Sequence, residues 1–183
     1  ITSSLQQEAN KRYKLSAKSV MQIAQTLYEN GYITYMRTDK AELSEEARNE
    51  ATQWVEQHYG RTYVITSATQ NTSKKHSGGA QEAHEAIRPT HIHTTEISGE
   101  WSPRDRRLYR LIWQRTLQSV MAPATGDILR IRFKPDACDD FVWRSELKRT
   151  LFEGWMRAGK VGNLEEDEEN EEQAVQHEDS GEQ

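Results

Sequence analysis

The sequence predicts a mainly α-helical protein with a small β part near its C-terminal end. Up to Pro123, apolar residues recur at helical spacing, and serine residues stand where helices would begin. After Pro123 the apolar period falls to two, as in the run Leu129-Arg130-Ile131-Arg132-Phe133. We therefore expect helices over residues 1–123 and strands over residues 127–152.

Four helices are predicted in the first part, because capping residues and breakers frame four stretches of helical periodicity. Serine oxygens accept hydrogen bonds from the first free amides of a helix, and glycine or proline ends it. The predicted spans are about 3–13, 17–30, 45–58 and 103–121, with Ser3 or Ser4, Ser16, Ser44 and Ser102 as N-caps, Gly31 and Gly60 as stops, and Pro123 after the last helix.

The strand part reads as an antiparallel pair. Residues 129–133 and 141–147 alternate apolar and polar side chains, with a Pro-Asp-Ala turn region between them. A third short strand is predicted at Leu151 and Phe152. A ribbon this small is only marginally stable by itself.

The charge is unevenly distributed along the chain. The formal net charge is −5, but all 24 Lys and Arg residues lie at or before Lys160. Residues 164–183 hold ten acidic residues and neither Lys nor Arg, which leaves +5 on residues 1–163. We expect residues 162–183 to be disordered. A mildly basic body is compatible with a polyanionic partner or with an ordinary solvated surface.

The segment Gly31-Tyr32-Ile33-Thr34-Tyr35-Met36-Arg37-Thr38-Asp39 holds a candidate nucleophile. If Ile33–Met36 is extended, Tyr35 and Arg37 lie on the same side, since side chains alternate along extended backbone. A guanidinium beside a phenol favours the phenolate and can bind a phosphate oxygen. The structural alternative is a strand tyrosine in the core with a surface arginine.

A second segment, Gln81-Glu82-Ala83-His84-Glu85-Ala86-Ile87-Arg88-Pro89, combines a histidine, carboxylates and an arginine. If Glu82–Ile87 forms one or two helical turns, His84 and Arg88 share a face at i,i+4. Such a pair suits a phosphate or a developing negative charge, and a partly buried structural histidine is the alternative.

These two segments, in this order, resemble the motifs of the type IA DNA topoisomerases. Two further stretches are similar to that family, Thr2–Ala9 at the start and Leu108–Arg115 in the last helix. The resemblance implies a helical tyrosine-bearing domain over 1–123, a partial β-rich arch over 124–161, and an acidic tail over 162–183. One departure is Lys40, which stands where the family usually has serine.

The resemblance also implies roles for individual residues. Tyr35 would cleave single-stranded DNA through a 5′-phosphotyrosyl bond without ATP, with Arg37 and His84 assisting. DNA-binding or site-ordering roles would fall to Gln25, Glu29, Thr38, Asp39, Lys40, Glu85 and Arg88.

Magnesium would be bound by a Toprim domain, which we do not find in the sequence, so we expect a piece of a larger enzyme with no metal of its own. The expected partners are single-stranded DNA and the remaining domains of that enzyme. A single cysteine, Cys138, fits a reducing cytoplasm, and no stretch is long and apolar enough for a membrane helix. The resemblance implies a cytoplasmic, nucleoid-associated protein with no membrane contact.

Three alternatives remain open from the sequence. One is a non-catalytic single-stranded nucleic-acid-binding module, which would have no use for a phenol beside Arg37. Another is a tyrosine recombinase, although those enzymes usually place the nucleophile after their Arg and His residues, and here Tyr35 comes first. The last is a structural domain with no DNA role.

Overall fold

The computed structural model describes residues 1–66, 85–134 and 142–160. The chain separates into two compact units, Ile1–Ala122 and Pro123–Gln183. The first unit is helical, and the described part of the second holds two strands and a short helix. The predicted fold class, mainly α with a small β part, is therefore confirmed. The three domain limits drawn from the sequence stay predictions, and the acidic segment 162–183 lies outside the described residues.

Three of the four long helices begin at the serine caps that the sequence predicts. The hydroxyls of Ser16, Ser44 and Ser102 each accept a hydrogen bond from the amide three residues ahead.

Among the described residues, no helix is long and apolar enough to cross a membrane. The helices are α1 (Thr2–Tyr13), α2 (Ala17–Glu29), α3 (Glu45–Tyr59), α4 (Pro103–Val120) and α5 (Met156–Gly159), with one 3-10 turn at Arg61–Tyr63.

The start of α1 differs from the prediction that Ser3 or Ser4 caps it. The N-cap position is Ile1, and no side chain caps the helix. The amide of Thr2 instead donates to the carbonyl of Thr38 at 3.0 Å. A distant segment thus satisfies a free donor of the first turn, which a local capping rule does not anticipate.

Helix α4 forms the centre of the first unit and packs against α1, α2 and α3. Its buried residues include Leu108, Leu111, Ile112 and Leu117, which recur at helical spacing, and also Tyr109 and Trp113. The indole of Trp113 donates to the carbonyl of Ile92 at 2.8 Å and meets the ring of Trp54 on α3 edge to face, with centroids 5.0 Å apart. The buried indole N–H of Trp113 thus has a hydrogen-bond partner, as burial of a polar group requires.

Helix α2 ends in a Schellman motif centred on Gly31. The amide of Gly31 donates to Tyr28 and the amide of Tyr32 to Leu27, both at 2.9 Å. Gly31 has a φ of 74°, a left-handed conformation that suits a residue without a side chain. This turn redirects the chain from α2 into the tyrosine segment.

The second unit contains an antiparallel pair, β1 (Thr125–Phe133) and β2 (Trp143–Phe152). The separate third strand predicted at Leu151 and Phe152 is wrong, because β2 continues through both residues and Phe152 pairs with Thr125. One face of the ribbon carries most of its apolar residues, with Leu129 opposite Leu147 and Phe133 opposite Trp143. All of β1 is exposed, consistent with the small size of the sheet.

Truncation of Leu27 tests the packing that anchors α2. Leu27 is fully buried, so Leu27→Ala is expected to lower the free energy of unfolding by about 2–5 kcal/mol. Urea unfolding followed by tryptophan fluorescence measures this change. Lys18→Ala, on the exposed side of the same helix, is the control and should stay within about 0.5 kcal/mol. Equal effects of the two substitutions would contradict the packing described here.

Candidate active site

The tyrosine segment is joined to the second motif by an antiparallel bridge between Ile33 and Pro89. The amide of Thr34 donates to the carbonyl of Arg88 at 2.9 Å, and the amide of Thr90 donates to Tyr32 at 3.0 Å. The predicted extended run over Ile33–Met36 is thus limited to a single bridge, not a full strand. The bridge nevertheless brings the two motifs side by side.

The hydroxyl of Thr34 adds a second connection between the motifs. It donates to the carbonyl of Ala86 at 2.8 Å and accepts from the amide of Arg88 at 3.0 Å. A hydroxyl can do both at once, since it carries one proton and two lone pairs. The residue directly before Tyr35 is therefore held by backbone and side chain together.

The other side of Tyr35 is held by Thr2 at the start of α1. The Thr2 hydroxyl lies 2.7 Å from the carbonyl of Met36 and 2.9 Å from the amide of Thr38. Met36 is fully buried. The Thr38 hydroxyl in turn accepts from the amide of Lys40 at 3.1 Å. Hydrogen bonds from two different parts of the chain thus fix the backbone on both sides of Tyr35.

Tyr35 and Arg37 both point to solvent, while Met36 between them and Thr38 after them are buried. This exposes 43% of Tyr35. Within the part of the chain that the structure describes, no hydrogen bond or ion pair holds the guanidinium of Arg37 or the carboxylate of Asp39. A phenol and an uncommitted guanidinium thus share one open side of a fixed backbone.

The second motif differs from the predicted helical turn over Glu82–Ile87. Residues 85–87 are not helical. The amide of Ala86 donates to the carbonyl of Glu42, and the carbonyl of Ala86 accepts a hydrogen bond from the Thr34 hydroxyl. The predicted i,i+4 face shared by His84 and Arg88 is therefore not available, and His84 itself lies outside the described residues. The segment Glu85–Pro89 instead pairs with the tyrosine segment through the bridge between Ile33 and Pro89.

Arg88 is committed within the protein. Its guanidinium makes two hydrogen bonds to the carboxylate of Glu85, at 2.9 and 3.0 Å, and a third to the carbonyl of Pro89 at 2.9 Å. Bidentate pairs of this kind fix both partners in orientation as well as in energy. Both residues therefore stiffen the segment that carries the bridge.

The pair Gln25 and Glu29 on α2 has the geometry that its spacing predicts. The Gln25 amide donates to the Glu29 carboxylate at 2.6 Å. On the same exposed side of α2, Tyr28 meets Tyr35 with ring centroids 5.2 Å apart and an interplanar angle of 65°. The end of α2 thus borders the candidate nucleophile.

An aromatic cluster supports the segment just before the bridge. The ring of Tyr32 meets Trp101 and Tyr109 edge to face, with centroids 5.4 and 5.9 Å away. Burial raises the pKa of Tyr109 far above its usual range, and the nearby Tyr32 raises it further. Tyr109 therefore keeps its proton and donates it to the carbonyl of Thr94 at 2.6 Å.

The described residues contain no group of three His, Cys, Asp or Glu side chains that could hold a metal ion. A cleft of about 220 Å³ lies along α1 and α4, lined in part by Leu5, Glu8 and Arg115. None of the site residues predicted from the sequence lines it. The candidate site is thus an open surface and not a closed pocket.

Sequence reasoning missed three residues that shape the site, Thr2, Thr34 and Tyr28. The first two lie inside quoted motifs, but nothing local reveals that their hydroxyls bond to segments 34 and 52 residues away. Tyr28 had a usable signal, because it stands on α2 between the buried Leu27 and the exposed Glu29.

Fold and site together define a helical protein that presents a tyrosine and an arginine from a fixed surface segment. A family model described as DNA topoisomerase matches residues 1–183. The chain is 46% identical over 162 residues to DNA topoisomerase 1 of Mycobacterium leprae, covering 86% of this chain and 17% of that protein. It is 44% identical over 164 residues to DNA topoisomerase 1 of Synechocystis sp., covering 88% and 18%.

Among solved structures, the full-length topoisomerase I of Thermotoga maritima superimposes with a TM-score of 0.70 at 31% identity. That match covers 87% of this chain and 26% of the other. The chain belongs to the DNA topoisomerase family, and the resemblance drawn from its motifs is confirmed. It spans less than a fifth of the length of the curated relatives named above.

Removal of the Thr34 hydroxyl tests the connection between the motifs. Thr34→Val leaves the Ala86 carbonyl and the Arg88 amide without this partner, so we expect a loss of about 1–3 kcal/mol of stability. Thermal or urea unfolding measures it. Thr26→Val is the matched control, since Thr26 is exposed and its hydroxyl bonds only to the carbonyl of Gln22 on the same helix. A Thr34→Val variant as stable as the control would show that the connection contributes little.

Proposed function

We propose that the chain is the tyrosine-bearing part of a type IA DNA topoisomerase, an isomerase that relaxes negatively supercoiled DNA without ATP. The proposed substrate is single-stranded DNA, and the remaining domains of the full-length enzyme are the proposed protein partners. A cytoplasmic, nucleoid-associated location is part of the same proposal.

The observation that supports this function best is the presentation of Tyr35. Its backbone is held on both sides, by Thr34 and by the contact of Thr2 with Met36, while 43% of the residue remains exposed. A nucleophile that attacks a large polymer needs this combination of a fixed position and open access. A core tyrosine would be fixed but unreachable.

The proposed reaction is a pair of transesterifications. The Tyr35 oxygen attacks a backbone phosphorus, the bond to the 3′ oxygen breaks, and the phenolic proton leaves the site as the departing 3′ oxygen gains one. A 5′-phosphotyrosyl bond and a free 3′-hydroxyl result. Religation is the reverse step, and the phosphoester count is unchanged throughout, so no ATP is required.

Arg37 is proposed to stabilise charge on the phosphate as the new bond forms. Its guanidinium is exposed and has no partner among the described residues, so it is available to a phosphate oxygen without breaking an internal bond. His84 is proposed to contact the phosphate or to support proton transfer. Lys40, in place of the family's usual serine, adds a cation to the same stretch of chain.

The remaining site residues are proposed to order the surface around the nucleophile. Arg88 is occupied by Glu85, so its role is to hold the segment opposite Thr34 and not to bind DNA directly. Thr38 acts through its contact with Thr2. The polar groups proposed to border the DNA are Gln25, Glu29 and Asp39.

Magnesium remains a proposal for the full-length enzyme. The described residues do not fit such an ion, because they bring together no three carboxylate, imidazole or thiolate groups. The proposed reaction therefore uses only residues of this chain, and magnesium binding is assigned to other parts of the enzyme.

Substitution of the proposed nucleophile is the direct test. In the full-length enzyme, Tyr35→Phe is expected to abolish the covalent adduct with a 3′-end-labelled single-stranded oligonucleotide, because only the attacking oxygen is lost. Denaturing gel electrophoresis detects the adduct. Tyr32→Phe, in the same segment, is the control and should keep it.

The label polarity adds a second criterion, since a 5′-phosphotyrosyl bond leaves the 3′-labelled fragment on the protein and releases a 5′-labelled one. An adduct that survives in Tyr35→Phe would reject the nucleophile. A wild-type enzyme that binds the oligonucleotide without any adduct would instead favour the non-catalytic binding module.

Arg37 can be tested separately from the nucleophile. Arg37→Ala is expected to slow single-turnover cleavage by about 10²–10³-fold, the effect typical of losing one group that stabilises developing charge. Arg37→Lys should recover part of the rate, since it restores the charge but not the planar fork. Arg104→Ala, exposed at the start of α4, is the control. Full activity of Arg37→Ala would exclude this role.

A further inference from the structure

A second tyrosine stands next to the proposed nucleophile. Tyr28 and Tyr35 have ring centroids 5.2 Å apart at an interplanar angle of 65°, an edge-to-face arrangement. Both are exposed, Tyr28 by 41% and Tyr35 by 43%. Two large aromatic side chains thus meet on the open surface and not in the core.

Tyr28 is delivered to this position by a well-anchored element. It follows the fully buried Leu27 near the end of α2, and its own carbonyl accepts the Gly31 amide in the helix-ending turn. The neighbouring Gln25 and Glu29 are bonded to each other on the same helix. A side chain on such an element is positioned more precisely than one on a loop.

The Tyr28 hydroxyl has no hydrogen-bond partner within the described residues. Tyr28 therefore contacts its surroundings through its ring and not through its hydroxyl oxygen. Among the described residues, the ring of Tyr35 contacts one other aromatic ring, that of Tyr28.

Among the described residues, none of the hydrogen bonds that hold the tyrosine segment involves the side chain of Tyr35 itself. They involve Thr34 before Tyr35 and the carbonyl of Met36 after it. A fixed backbone still permits a surface tyrosine several staggered side-chain rotamers. Something beside the ring must restrict them if the phenol is to meet a phosphate in a defined direction.

We propose that Tyr28 is a positioning residue for Tyr35, whose ring occupies the space on the α2 side and so restricts the directions in which the nucleophile can point. This inference rests on the proposed function of Tyr35. Tyr28 takes part in no bond that forms or breaks, and its effect is on the rate of cleavage and not on the affinity for DNA.

The experiment compares three variants of Tyr28 in the full-length enzyme. Single-turnover cleavage of the 3′-labelled oligonucleotide at saturating enzyme gives the rate. Fluorescence anisotropy in the Tyr35→Phe background gives the dissociation constant without interference from the adduct. Tyr28→Ala is expected to slow cleavage about tenfold, as a modest misplacement of a reacting group does, while the dissociation constant changes less than twofold.

Tyr28→Phe keeps the ring and is expected to retain at least about half of the wild-type rate, since the hydroxyl is not needed for the contact. Tyr28→Leu keeps the helix propensity of the position and should be slow like Tyr28→Ala, which covers the case that the alanine variant folds poorly. Lys18→Ala on the same helix is the control with an unchanged rate. Melting temperatures of all variants separate a loss of folding from a loss of positioning.

Three outcomes would overturn the inference. Tyr28→Ala as fast as the wild type would remove any role for the ring. Tyr28→Phe as slow as Tyr28→Ala would assign the effect to the hydroxyl. A dissociation constant raised tenfold with an unchanged saturated rate would make Tyr28 a stacking platform for a DNA base.

The test separates this inference from the proposed function. A wild-type enzyme without an adduct, or an adduct that persists in Tyr35→Phe, rejects the function itself. A wild-type adduct that is lost in Tyr35→Phe, together with a fast Tyr28→Ala variant, rejects only the positioning role.

Discussion

The hydrogen bonds around Thr34 hold together two parts of the chain that lie far apart in sequence. Its amide, its hydroxyl proton and its hydroxyl lone pair are all used, toward Arg88 and toward Ala86 52 residues away. Because Tyr35 is the next residue, these bonds help to fix the backbone from which the phenol projects. The position of the candidate nucleophile therefore depends in part on the half-buried side chain of Thr34.

The same segment divides its residues between the core and the surface. Ile33 and Met36 are buried almost completely, while Tyr35 and Arg37 are exposed. The structural alternative for the Tyr-x-Arg pattern, a core tyrosine with a surface arginine, is therefore wrong. Burial of Ile33 and Met36 anchors the segment in the core, so Tyr35 does not need to be buried and its phenol is accessible to a ligand.

Features that depend on nearby residues could be predicted from the sequence. Ser16, Ser44 and Ser102 cap their helices, and Gly31 ends α2 with a positive φ. In each case the donor and acceptor lie within a few residues, so the pattern contains the whole interaction. The change of apolar period at Pro123 likewise marks the start of the strands.

Features that depend on distant residues could not be predicted in this way. The sequence predicts a serine cap at the start of α1, whereas the Thr2 amide is paired with the Thr38 carbonyl. The predicted helical turn around His84 is absent from residues 85–87, because Ala86 bonds to Thr34 and Glu42 instead of to its own neighbours. Tertiary hydrogen bonds of this kind override the local helix propensity of the residues that make them.

The central claim is that Tyr35 carries the covalent bond to DNA, and peptide mapping tests it most directly. The wild-type full-length enzyme would be trapped on a single-stranded oligonucleotide, digested with nuclease and trypsin, and analysed by tandem mass spectrometry. Trypsin cutting after Lys18 and Arg37 gives a peptide with three tyrosines, Tyr28, Tyr32 and Tyr35. We expect fragment ions that place the nucleotide mass on Tyr35 alone. A nucleotide on Tyr28, on Tyr32 or on any residue outside this peptide would contradict the account.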